Sequence, residues 1–168
     1  MQADELRAMQ APLKERYRAD PGAAVVTLSA RALLGEGVTC NVQTGRALAA
    51  AGLHPASGGN GAELCSGDML LEALAACAGV TMRAVATALA IPVEGRVTVE
   101  GELDFRGTLG IDRDAPVGFR AIRLRFDLET DVEDERVAKL IELTQRYCVV
   151  LQTLASPPAL TVDWVRSD

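Results

Sequence analysis

Hydrophobic and polar residues alternate strictly along residues 97–106. Val97, Val99, Leu103 and Phe105 fall on one face, and Thr98, Glu100, Glu102, Asp104 and Arg106 on the other. A period of two is that of a half-buried β-strand. Residues 122–129 repeat the pattern, Ile122, Leu124, Phe126 and Leu128 against Arg123, Arg125, Asp127 and Glu129, after a Gly- and Asp-rich connection. The two strands are expected to pair antiparallel, with opposite charges facing one another on the solvent side. From residue 133 to about 154 the period lengthens to that of a helix, with Val137, Leu140, Ile141, Thr144, Cys148 and Leu151 on one stripe and Pro157-Pro158 beyond its end. Leu160, Val162 and Trp164 alternate once more, as a last short strand.

A second helix is expected from residue 66 to about residue 90, with Ser66 as its N-cap, Asp68 in the first turn complementing the helix dipole, and Pro92 stopping it. Apart from Asp68, Glu72 and Arg83 this segment is small or apolar on every face. A globular protein tolerates such a helix only where it is surrounded. One domain of this size covers it in part, so the remaining face predicts a subunit interface, most simply in a homodimer. Nearer the N-terminus, residues 24–34 and 38–44 suit strands, with Gly35-Glu36-Gly37 as a hairpin turn and Cys40 on the second strand. Residues 51–67, rich in glycine and containing Pro55, read as one long loop, the kind of segment that often carries function. Residues 3–18 have helix-forming composition interrupted by Pro12, and Asp20-Pro21-Gly22 makes a turn. The expected organisation is an N-terminal appendage over residues 1–22 and a single domain over residues 23–168.

Charge and composition narrow the partners. Seventeen Lys and Arg against 23 Asp and Glu give a net charge of −6, which repels phosphate backbones and anionic lipid, and aromatics at 4% leave few platforms for stacking bases. Nucleic acid is therefore not expected as a partner. The first residues carry Asp4 and Glu5 and no apolar run, so no secretory signal is expected and the location is read as cytoplasmic. Glu72 and Arg83 interrupt the most apolar stretch, residues 69–91, which is read as a buried helix and not as a membrane span.

Four cysteines, Cys40, Cys65, Cys77 and Cys148, and one histidine, His54, are the candidates for chemistry. Their spacing fits no common zinc pattern, so neither a metal nor another cofactor is expected. Cys77 lies in the middle of the apolar helix among small residues that allow close approach, and Cys148 lies on the core stripe of the second helix. Both point to the same interior if the helices pack on one sheet. Buried cysteines are common as simple packing residues, so a pair without chemistry is the plainer alternative. Acyl transfer by a Cys77 nucleophile lacks a base, since His54 sits in the loop. Cys65, at the edge of that loop, is either an alternative partner thiol for Cys77 or a small residue near a helix start.

The segment CSGDMLLEALAACAGVTMRAVA, followed some seventy residues later by LTQRYCVVLQTL, resembles the two cysteine segments of the OsmC/Ohr superfamily of osmotically induced and organic-hydroperoxide-resistance proteins. The resemblance runs from about Ala24 onward. It implies an α+β fold, an antiparallel sheet with two long central helices, in an intertwined homodimer. It also implies reduction of organic hydroperoxides at the expense of a dithiol reductant, with Cys77 as the peroxidatic and Cys148 as the resolving thiol. An arginine from the early strands would activate the thiol, Arg31 or Arg46, supported by a carboxylate near the start of the first long helix. Two positions depart from the family pattern. Its Pro-Glu at the helix entrance is Ser66-Gly67-Asp68 here, so only Asp68 could supply the carboxylate. Its Cys-Pro at the resolving thiol is Cys148-Val149, which is expected to remove the helix break that exposes this thiol. A noncatalytic small-molecule-binding or stress protein on the same fold is the alternative function.

Overall fold

The computed structural model describes residues 47–110 and 112–166, strand segments 31–34 and 39–44, and a few positions before residue 20; for strand residues up to 48 it describes the backbone. Arg46, the turn at 35–37, residues 24–30 of the first expected strand and the Asp20-Pro21-Gly22 turn lie outside the described residues.

Among the described residues the chain builds two sheets. In the first, β1 (Arg31–Leu34) pairs antiparallel with β2 (Thr39–Thr44), placing Arg31 opposite Gln43 and Leu34 opposite Cys40. β2 pairs antiparallel with β3 (Ala47–Gly52), and β4 (Leu64–Cys65) joins β3 in parallel, Cys65 opposite Gly52. Residues 51–67 are thus not one loop. They end β3, make a 3-10 turn at Pro55–Ser57 and supply β4. The alanine-rich run of β3 has no alternation to announce it; pairing along β2 overrides its weak intrinsic preference.

The second sheet is the antiparallel pair β5 (Glu94–Leu103) and β6 (Phe119–Glu129). Val97 lies opposite Phe126 and Val99 opposite Leu124, while Arg96 faces Asp127 and Glu100 faces Arg123, so both faces follow the alternation in the sequence. Arg123 and Glu100 approach to 3.7 Å, an exposed pair of small energetic value. Gly95 sits at φ +141°, where a Cβ would collide with the carbonyl oxygen of Asp127. β5 ends at Leu103, three residues earlier than the alternation suggests. The Asp104 carboxylate accepts the Arg106 N–H at 3.1 Å and caps the short helix α2 (Phe105–Thr108), which takes Phe105 out of the strand.

The long helix α1 (Ser66–Ala88) lies against the second sheet. Its N-cap is Cys65 with no side-chain capping bond, so Ser66 is the first helical residue and not the cap. The other end closes as a Schellman motif. Ile91 N–H reaches Ala86 carbonyl at 2.9 Å, Ala90 N–H reaches Thr87 carbonyl at 3.2 Å, and Ala90 holds the left-handed position at φ 49° that glycine usually takes. Arg136 donates to the Leu89 carbonyl at 3.1 Å, placing a cation at the negative end of the helix dipole. Leu74, Ala78, Met82 and Ala86, spaced four apart, form the buried stripe of α1. By length and composition alone α1 could cross a membrane, Glu72 and Arg83 notwithstanding. What marks it as a core helix is the packing of this stripe.

The core has two parts along α1. One gathers Met82, Ala86, Ile91, Val93 and Leu140; the other gathers Leu74, Ala78 and Cys148 with Val97, Val99, Ile122 and Leu124 of the sheet packed against them. The amphipathic C-terminal segment supplies Leu140 and Cys148, but as two helices: α3 (Asp134–Tyr147) and α4 (Val149–Ala155), with Cys148 extended between them at φ −73° and ψ 104°. The continuous helix expected over residues 133–154 is therefore broken at Cys148. Residues 160–164 do not form a strand. They run unpaired, with Leu160, Val162 and Trp164 at least 85% exposed.

Candidate functional site

The break between α3 and α4 builds the site. Cys148 is fully buried against Leu74 and Ala78 of α1, and the small Ala78 side chain leaves room for the approach. Cys77, next to Ala78 in sequence, is half-buried and packs against the same cluster. Both cysteines are free thiols, and they share one packed cluster.

The break also frees donors. In a continuous helix the Val149 N–H would be spent on the Gln145 carbonyl. Here the Gln152 side-chain amide donates to that carbonyl at 2.9 Å, and the N–H groups of Val149 and Val150 have the Cys77 sulfur within reach. Two chemically identical thiols consequently diverge. Desolvation pushes the Cys77 thiol up, but the Val150 N–H, the Cys148 thiol, the Thr81 hydroxyl and the Val149 N–H together outweigh it and hold Cys77 below the usual thiol range. Burial pushes the Cys148 thiol up, the neighbouring Cys77 sulfur adds to the rise, and the Leu151 N–H opposes it only in part. Of the two, Cys77 is therefore the thiol that ionises more readily. Such a couple combines an accessible nucleophile with a protonated thiol against it.

The expected helix break was lost from the sequence reading because Val149 replaces the proline of the family pattern. The structure breaks there without proline. The interruption lets the Cys148 side chain reach α1, where it is fully buried. Thr81, Val149 and Val150 are the site residues that the sequence reading missed. Thr81 was open to detection, since it stands four residues after Cys77 and hence on the same helix face. The backbone donors carry no sequence signal.

The remaining candidates lie elsewhere. Asp68 is nine residues before Cys77, about 14 Å along the helix axis, and Cys65 is farther still. Both line a cavity of 440 Å³ with His54, Phe105, Phe119 and Arg120, and Cys77 is not among its lining residues. His54 caps the 3-10 turn, its Nδ1 accepting the Ala56 N–H at 3.0 Å, and its ring stacks on Phe105 at 5.0 Å, a structural role for the lone histidine. Arg31 is on β1 and Cys40 on β2; their side chains, like Arg46, lie outside what the structure describes. Among the described residues no three His, Cys, Asp or Glu side chains gather in metal-ligating positions.

A family model described as OsmC-like protein matches residues 58–163, a span that holds both cysteine segments and the second sheet. The chain belongs to the OsmC-like family. Its fold recurs in an OsmC-like protein from Mycoplasma pneumoniae, 20% identical, with a TM-score of 0.65 over 79% of this chain and 89% of that one. An OsmC-like protein of unknown function from Vibrio cholerae is 10% identical, with a TM-score of 0.57 over 77% and 94% of the two chains. The organic hydroperoxide resistance protein OhrB of Bacillus subtilis is 17% identical, with a TM-score of 0.51 over 79% and 93%. At these identities the likeness is one of fold, and it bears out the α+β OsmC-like class read from the sequence. No curated protein matches the chain significantly.

Proposed function

We propose that this OsmC-like protein is a cysteine-based peroxidase of organic hydroperoxides, serving in oxidative stress defence. One observation carries the reading: two free thiols packed in one cluster, the half-buried one biased toward thiolate and the buried one toward thiol. The structural likeness to a protein named for organic hydroperoxide resistance supports the substrate class.

In the first step the Cys77 thiolate attacks the terminal peroxide oxygen. The S–O bond forms as the O–O bond breaks, giving the Cys77 sulfenic acid and an alkoxide that takes a proton from solvent. The Cys148 thiol then attacks the sulfenic sulfur, closing a Cys77–Cys148 disulfide and releasing water. An external dithiol reduces the disulfide by exchange and leaves as its own disulfide. Burial of Cys148 within reach of Cys77 favours capture before the sulfenic acid is oxidised further. Arg31, on β1, or Arg46 would reinforce the thiolate. The reading places Asp68 at the helix dipole and not at the thiol.

The same proposal takes the working unit to be a cytoplasmic homodimer, with residues 23–168 as its single domain and residues 1–22 as an appendage. Leu160, Val162 and Trp164 lie exposed at alternate positions of an extended segment, a pattern suited to adding a strand to a second copy. Val80 at 72% and Val149 at 70% exposure add apolar surface beside the cysteine segments, which a bulky alkyl group or the partner subunit would cover.

Turnover of an alkyl hydroperoxide with a dithiol tests the reading. Cys77→Ser should abolish consumption. Cys148→Ser should consume about one equivalent and then accumulate sulfenic and sulfinic acid at Cys77. A peroxide-treated wild-type chain with Cys77 unmodified and no Cys77–Cys148 disulfide by mass spectrometry would instead support the noncatalytic reading, in which both cysteines only fill the core.

A further inference from the structure

Two glycines and a bulge shape the cavity at the start of α1. A Cβ on Gly101 of β5 would fall 2.4 Å from the Phe119 ring, so glycine is what lets that ring lie across the strand. A Cβ on Gly67, in the first turn of α1, would meet the Cys65 sulfur and Phe119 Cζ at 3.5 Å and Leu103 Cδ1 at 3.6 Å, ordinary contacts that mark the space these three side chains enclose. Glu102 pairs with Ala121 and Leu103 with Phe119, which leaves Arg120 as the extra residue of a β-bulge. Leu103, Phe105 and Phe119 are half-buried and form an apolar floor, whereas Asp68, Glu102 and Arg120 are exposed at the rim. Among the described residues none of these three makes an ion pair or a side-chain hydrogen bond. Arg120 acts on Asp104 through its charge alone; that carboxylate is held by Arg106 Nε at 3.0 Å and Nη2 at 2.6 Å. Because His54 Nδ1 accepts the Ala56 N–H, the neutral ring carries its proton on Nε2, a donor without an acceptor among the described residues.

We propose that this cavity of 440 Å³ binds an α-amino acid with an apolar side chain, at a site separate from the thiol pair. Small-molecule pockets begin at about 300 Å³, so the volume suits a ligand of that size. The floor takes the apolar side chain out of water. The mouth offers charges of both signs: a guanidinium whose planar fork matches a carboxylate, and two carboxylates that match an ammonium group. His54 Nε2 adds a donor for the ligand's carboxylate, and so does the positive end of α1, whose N-cap Cys65 spends no side-chain bond on the first turn. A simple carboxylate would face Asp68 and Glu102 uncompensated, and a simple amine would leave Arg120 unpaired. An α-amino acid answers both from one carbon. Cys77 does not line the cavity, so its occupation is independent of the peroxidase reading.

The test uses L-phenylalanine on the reduced full chain, with binding read by calorimetry and by iodoacetamide alkylation of Cys65, followed on its own peptide by mass spectrometry. At five times the dissociation constant the ligand should slow alkylation of Cys65 about sixfold, while Cys77, outside the cavity, keeps its unliganded rate. Phenylacetate and phenethylamine each lack one of the two charges and should bind about tenfold more weakly, or worse. Arg120→Met should weaken L-phenylalanine by about tenfold and leave phenethylamine unchanged. Gly67→Leu suits the helix and fills the space between Cys65, Leu103 and Phe119, so it should abolish binding of all three compounds. Cys65 alkylation unaffected by L-phenylalanine up to about 20 mM would overturn the proposal, as would equal slowing of Cys65 and Cys77 or phenylacetate binding as tightly as the amino acid. If Gly67→Leu prevents folding, Arg120→Met at the exposed rim still decides, and undiminished affinity for L-phenylalanine there overturns the site. Neither readout involves peroxide, so failure of the peroxidase reading would leave these results untouched.

Discussion

A thiol's chemistry in this protein is decided by which neighbours it keeps. Cys77 and Cys148 have the same side chain and share one cluster, yet the first is surrounded by donors and the second by apolar surface. At neutral pH Cys77 should therefore alkylate about tenfold faster than Cys148 or more, a ratio that peptide mass spectrometry reads directly. Ala90 is a different kind of residue-scale feature. It closes the Schellman motif of α1 at φ 49°, a position where a Cβ costs roughly 1 kcal/mol. Ala90→Gly should stabilise the fold by about that amount, seen as a higher urea midpoint at unchanged slope. Asp104 provides an acid-sensitive link. The Arg106 guanidinium and backbone N–H hold its carboxyl at about 2 in the folded chain. A carboxyl depressed on folding stabilises the native state above its unfolded value and loses that contribution as pH falls. Wild type should therefore lose thermal stability relative to Asp104→Asn between about pH 4 and about pH 2, as followed by circular dichroism.

At the scale of elements, the break at Cys148 joins fold and chemistry. An unbroken helix would spend the Val149 N–H on the Gln145 carbonyl; the break releases it toward Cys77, and the Gln152 amide satisfies the carbonyl left behind. Val149→Pro tests this arrangement with one substitution. Proline is at home in the first position of a helix, and Cys148 already has the extended backbone that a following proline requires. In a continuous helix the change would cost about 3 kcal/mol. At the observed break it should cost less than about 1 kcal/mol while deleting one donor to Cys77, so the pH midpoint of Cys77 alkylation should rise and the urea midpoint should barely move. A large loss of stability would show that the helix runs on through Cys148. Gln152→Ala should destabilise by about 1 kcal/mol, because the Gln145 carbonyl then loses its partner.

For the whole molecule, the open question is what covers the C-terminal segment. Trp164 is the sole tryptophan and is 85% exposed in the single chain. If Leu160, Val162 and Trp164 add a strand to a second copy, its emission should be blue-shifted in the native protein and move to the red on dilution below the dimer's dissociation constant. Deleting residues 157–168 should leave a folded monomer in sedimentation, since α1, β5, β6 and α3 keep their core without that segment. Emission typical of water-exposed indole at all concentrations would point to a monomer with a free tail.

Much of this organisation was legible in the alternation itself. The pairing of β5 with β6 follows from Val97, Val99, Leu124 and Phe126, because a period of two admits one buried face and a one-residue slip would expose it. The two cysteine segments were legible as well, through helical spacing and family resemblance. Other features were decided by contacts between distant segments. β3 exists because β2 offers it hydrogen-bonding partners, not because Ala49, Ala50 and Ala51 prefer a strand. The C-terminal alternation yields no strand because no described strand of this chain pairs with it. The site's donors were the least legible part. Backbone N–H groups are present at every residue except proline, and only a packed helix end selects those of Val149 and Val150. The sequence by itself determined which residues could ionise and which faces had to be buried, since both are properties of side chains and their period. The tertiary structure decided which thiol ionises more readily, because that depends on which groups, separated by seventy residues of chain, come to lie near the same sulfur.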